Sequence, residues 1–90
     1  MDYQREFKKT LLSQPHCILG KNGITNEFII HVLQLLKRNK IIKIKALRSV
    51  ATKANINNLA VKISKLTNSH LLDVRGKIII LTKYDIKKFN

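Results

Sequence analysis

The spacing between apolar residues switches repeatedly along this chain between a helical period and a strand period, which restricts it to folds that layer helices on a sheet. Tyr3, Phe7 and Leu11 recur at four-residue spacing, so they share one face of a helix over about Asp2 to Leu12. Pro15 disfavours helical geometry at Gln14, and the chain should extend into a strand over roughly His16 to Leu19. Phe28, Ile29, Val32, Leu33 and Leu36 form the stripe of a second helix, Thr25 to Arg38, with Thr25 as its cap, Glu27 in its first turn and Lys37-Arg38 at its end. Ile42, Ile44 and Ala46 then alternate with Lys43, Lys45 and Leu47, as in a strand with one face on the core.

Arg48 to Ala54 reads as a basic connection. Ile56, Leu59, Ala60, Ile63 and Leu66 mark a third helix, from near Asn55 to before Asn68. Leu71-Leu72-Asp73-Val74 and Ile78-Ile79-Ile80-Leu81 flank Arg75-Gly76-Lys77 as the arms of a hairpin, and the second arm, apolar throughout, suggests a strand covered on both faces. The expected order is α-β-α-β-α-β-β, an α/β (α+β-like) fold. Strand-helix-strand alternation implies a parallel crossover and the hairpin an antiparallel pair, hence a mixed four-stranded sheet. The 90 residues are too few for two cores, so 1–90 is expected to be one domain, with a short basic tail at about 83–90.

The 18 Lys and Arg residues face 5 Asp and Glu, a formal charge of +13. Such an imbalance opposes compaction unless a polyanion neutralises it, which points first to nucleic acid. A membrane partner is not expected, because the apolar helical faces are committed to a core. The N-terminus lacks the apolar stretch of a signal peptide, and no apolar run approaches the ~20 residues of a membrane span. Cys17 is the lone cysteine, which suits a reducing compartment, and a cytoplasmic location is expected.

Gly20-Lys21-Asn22-Gly23 is the most informative segment, because it joins a strand end to a helix start with glycine at both corners. Glycine lets a phosphate approach the main chain closely, the amides of the Thr25 helix lie behind it, and Lys21 adds a full charge. The loop lacks the terminal Lys-Ser/Thr of a P-loop, so nucleotide hydrolysis is not supported. Lys43, Lys45, Arg48 and Lys53 are candidates to extend a phosphate-binding track, or else form a solvated strand face and loop. Lys37, Arg38 and Lys40 fall at the other end of the second helix, roughly 20 Å away at 1.5 Å per residue.

Pro15, Leu19-Gly20-Lys21-Asn22-Gly23-Ile24-Thr25, Lys40-Ile41-Ile42-Lys43-Ile44-Lys45 and Val74-Arg75-Gly76-Lys77-Ile78-Ile79-Ile80-Leu81 together resemble the CRM domain, the chloroplast RNA splicing and ribosome maturation module, in its stand-alone form. The resemblance covers nearly the whole chain. It implies a fold similar to the C-terminal domain of a bacterial translation initiation factor. It also implies RNA binding, with Gly20, Lys21, Asn22 and Gly23 matching the family's G-x-x-G loop. Stand-alone members are linked to precursors of the large ribosomal subunit, and plant members with several copies promote group II intron splicing. The chain departs from the family pattern at Ser13, where an apolar residue is common, and at Asn68-Ser69, in place of a glycine-containing turn. Thr82-Lys83 replaces an aromatic-Arg ending and removes a candidate base contact.

The expected function is therefore non-catalytic binding of structured RNA, ribosomal RNA of the large-subunit precursor above all, by a monomer with no cofactor, metal or small-molecule substrate. His16, His31 and His70 are dispersed, and the five carboxylates form no acid-base pair. The alternative is a DNA-coating architectural protein, because Ile18-Leu19-Gly20-Lys21, Ile42-Lys43-Ile44-Lys45-Ala46 and Thr52-Lys53-Ala54 also resemble parts of the chromatin protein Alba. Replacing Lys21 or Gly23 is expected to weaken RNA binding and leave the fold intact.

Overall fold

A computed structural model describes residues 3–84. They form α1 (Tyr3–Leu12), β1 (Cys17–Leu19), α2 (Asn26–Arg38), β2 (Ile41–Ala46), α3 (Ile56–Leu66), β3 (His70–Arg75) and β4 (Ile78–Thr82). The order is the expected one, and the sheet is mixed, with spatial order β1-β2-β4-β3. β1 runs parallel to β2, whereas β4 is antiparallel to both β2 and β3. β2 and β3 are thus parallel, and the returning hairpin arm β4 is inserted between them. The tail expected at about 83–90 lies, beyond Tyr84, outside the described residues.

The main core fills the face of the sheet that carries α2 and α3. Val32 and Leu36 of α2 and Ile56, Ala60 and Ile63 of α3 pack with Leu19, Ile42, Ile44, Ala46, Ile79 and Leu81. Burying an aliphatic side chain of this size contributes about 1.5–3 kcal/mol, which is why the stripes read from the sequence hold their helices to the sheet. β4, apolar over Ile78 to Leu81, is central, with Ile79, Ile80 and Leu81 each 0% exposed.

The other face departs from the expectation that β2 has a single face on the core. Ile80 points there, paired with Lys43 across the ladder, and Ile41 beside Thr82 is buried as well. α1 packs over these residues, so the sheet lies between helices on both sides. The alternation of Lys43 and Lys45 hid this second layer, since a lysine with a long apolar stem suits a partly covered position.

Two helix ends are built locally. Thr52 and Asn55 bond reciprocally, Thr52 N–H to Asn55 Oδ1 at 2.7 Å and Asn55 N–H to Thr52 Oγ1 at 3.2 Å, so the turn leading into α3 begins at Thr52 in the manner of a capping box. At the other end Asn68 takes φ 52, the Ser69 amide donates to the Ser64 carbonyl and the Asn68 amide to that of Lys65. This is a Schellman ending in which asparagine occupies the usual glycine position.

Candidate nucleic-acid interface

The Gly20–Gly23 segment closes as a tight turn, with the Gly23 N–H donating to the Gly20 carbonyl at 2.9 Å. Gly23 has φ +72, where an L side chain is strained, whereas Gly20 has no such φ. A Cβ added at either glycine meets nothing within 4 Å, so open space lies in front of both. The expectation that Gly23 can be replaced without cost to the fold is revised on this ground. Lys21 and Asn22 at the tip are exposed.

The helix behind the turn starts as its sequence implies. Thr25 is extended and its Oγ1 accepts from the Phe28 N–H at 3.0 Å, which satisfies one first-turn amide. The Asn26 and Glu27 amides lie in that same turn, at the positive end of the helix dipole. Ile18, Phe28 and Leu47 join the turn in lining a shallow concavity of about 620 Å³.

Topology places more at this edge. Because β1 and β2 are parallel, the helices that follow them both start beside the carboxyl ends of these strands. The Leu47 N–H bonds the Leu19 carbonyl at 3.0 Å, which ties the connection after β2 to the glycine turn. The Ala46 N–H bonds the Lys77 carbonyl at 2.8 Å, which brings the β3–β4 hairpin to the same edge. Gly76 turns that hairpin with φ +58.

Of the residues singled out in the sequence, Gly20, Lys21, Asn22, Gly23 and Thr25 form the turn and cap. Lys45 pairs with Ile18 across the ladder one residue before the β2 end and is exposed. Arg48 and Lys53 are exposed in the connection that follows, Lys53 in the turn leading into α3. The first turn of α3 contains no acidic residue, so a cation there faces the positive dipole end without compensation. Lys43 is placed differently: its Nζ donates to the Leu11 and Ser13 carbonyls at the end of α1.

Arg75 and Lys77 were not singled out. Their hairpin is legible in the sequence, but its proximity to the glycine turn depends on β4 pairing with β2. Among the acidic groups at this edge, Asp73 is bound to Arg75 at 2.6 Å, and Glu27 lies in the first turn of α2. Lys37 and Arg38 close α2 at the far end, and Lys40 begins the next strand there.

Cys17 is not poised as a nucleophile. Burial pushes the Cys17 thiol up to about 11, so it stays protonated near neutrality. Among the described residues no three or more His, Cys, Asp or Glu side chains group to hold a metal ion, and no helix is long and apolar enough to cross a membrane.

A mixed sheet between helices, with a glycine-cornered turn and cations along one edge, defines a class of small α/β modules with a basic strand-to-helix edge. Residues 3–83 match the CRS1 / YhbY (CRM) domain, and the chain belongs to that family. The solution structure of a hypothetical protein from Staphylococcus aureus, one proposed to bind RNA, shares the fold with a TM-score of 0.75. The two are 23% identical, over 91% of this chain and 83% of that one. No curated protein matches the chain.

Proposed function

We propose that this chain is a single-domain, non-catalytic RNA-binding module that holds the phosphate backbone of a structured RNA along the carboxyl edge of its sheet. The observation that carries this reading is convergence: two helix starts, the open glycine turn, and Lys21, Lys45, Arg48, Lys53, Arg75 and Lys77 all meet at one edge. Fixed amides and cations in one track suit phosphates at helical spacing and require no base to be read. Lys43 is left out of the track because its ammonium holds α1.

Membership of the CRM family favours RNA among the polyanions, since RNA binding is what the resemblance implies. The proposed target is ribosomal RNA of the large-subunit precursor, bound by a monomer in the cytoplasm without a cofactor.

Two measurements test this reading. Affinity for a folded RNA fragment should fall steeply with salt, and Lys21→Ala should lower the slope of log K against log salt by about one. Crosslinking in native extract, followed by sequencing of bound RNA and DNA, should enrich large-subunit rRNA. Uniform coverage of genomic DNA without RNA enrichment would sink the reading and favour the chromatin-coating alternative.

A further inference from the structure

A second cavity, of about 430 Å³, opens between the last turn of α1 and the hairpin end of the sheet, lined by Lys8, Leu11, Leu12, Lys43, Arg75 and Ile78. Its floor is apolar and every charged group lining it is a cation. Leu12 is 89% exposed, an unusual position for a leucine at a helix end unless something covers it. The wall that carries Leu12 is fixed, because the Lys43 ammonium holds the carbonyls of Leu11 and Ser13 at 2.8 and 2.9 Å.

Arg75 gives the cavity its chemistry. Its Nε donates to Asp73 Oδ2 at 2.6 Å, and its guanidinium carbon lies 5.8 Å from the Phe7 ring centroid, so the group is held from two sides. A guanidinium plane is a stacking surface for a nucleobase, and its charge also suits a phosphate. The cavity adjoins the phosphate track, because Ile78 of its floor pairs with Lys45 across the ladder and Arg75 and Lys77 sit on the same hairpin.

We infer that this cavity receives one unstacked base of the bound RNA, seated on Leu11, Leu12 and Ile78 and stacked on Arg75. This rests on the RNA-binding reading and adds to it a base contact, which the phosphate track does not supply. Lys8 and Arg75 suit the flanking phosphates of a nucleotide, and the adjacent phosphate track sets a nucleotide above a protein side chain as the occupant.

The test compares an oligouridylate eight-mer with an abasic ribose-phosphate eight-mer of the same charge, at one salt concentration. The base-bearing strand should bind about fivefold more tightly to the unmodified protein. Leu12→Ser and Arg75→Lys, the second of which keeps the charge and removes the plane, should abolish that preference. Lys21→Ala should weaken both ligands alike. Equal affinity for the two strands, or a preference that survives both cavity variants, overturns the base pocket and leaves the RNA-binding reading standing. Failure of both strands to bind at low salt also overturns the base pocket, and the RNA-binding reading falls with it only if the folded RNA fragment fails to bind as well.

Discussion

Lys43 and Leu11 are 32 residues apart in the chain, yet the Lys43 ammonium donates to the Leu11 carbonyl at 2.8 Å. A second bond from the same nitrogen reaches Ser13 at 2.9 Å. The last carbonyls of a helix carry partial negative charge and lack intrahelical donors, so a cation delivered from a neighbouring strand satisfies both needs. A lysine in the middle of a sheet thus acts as the C-terminal cap of α1.

Lys43→Met keeps the apolar stem and removes the ammonium. It should lower stability by about 1–2 kcal/mol, read as a shift in the urea midpoint, because two charge-assisted bonds are lost from a partly covered site. The salt slope of RNA binding should not change. A drop of about one in that slope would return Lys43 to the phosphate track.

The two glycines of the turn should separate fold from function. Gly23→Ala forces a side chain into φ +72 and should cost about 1 kcal/mol of stability. Gly20→Ala meets no neighbour within 4 Å and no such strain, so its thermal midpoint should stay within a degree or two of the unmodified protein. If phosphates approach the turn, Gly20→Ala should still weaken RNA binding several-fold. Unchanged affinity in that folded variant would count against the turn as a contact.

Asn68 holds φ 52 at the end of α3, where glycine is the residue without steric penalty. Asn68→Ala should destabilise by about 1 kcal/mol, and Asn68→Gly should be neutral or stabilising by a few tenths. Equilibrium unfolding of the pair checks the order. If alanine were the more stable of the two, the Schellman geometry would be wrong.

His16 provides a pH signal. The Lys43 N–H donates to His16 Nδ1 at 2.9 Å, which places the ring proton on Nε2. Burial holds the imidazole below its ordinary value of 6.5, the Lys43 charge adds to this, and a backbone interaction with Lys43 opposes it in part. The unfolded chain therefore takes up the proton first as pH falls, so stability is full above about 6.5 and declines from there down through the folded value. His16→Asn, whose Oδ1 can accept the same bond without titrating, should flatten the stability profile between about pH 7 and 5. An equal slope in that variant would assign the decline to other groups.

The order of elements was legible because apolar periodicity reflects burial against one layer, and burial dominates here. The stripe of α2, its Thr25 cap and the both-faces burial of β4 follow from residues within a few positions of one another. The glycine turn was legible for the same reason, since its geometry is made within Leu19 to Thr25.

Only the tertiary structure decided what depends on pairing between distant segments. A hairpin with two apolar-rich arms can add to the edge of a sheet or insert its second arm, and the alternation of side chains is the same in both cases. Insertion of β4 between β2 and β3 bonds Lys77 to Ala46 and sets Arg75 at the same end of the sheet as the glycine turn, and no local signal carries that information. The face chosen by α1 was equally hidden: its stripe specifies that it packs but not where. The place was set by Ile41 and Ile80, which needed cover, and by Lys43, which reached the open end of the helix.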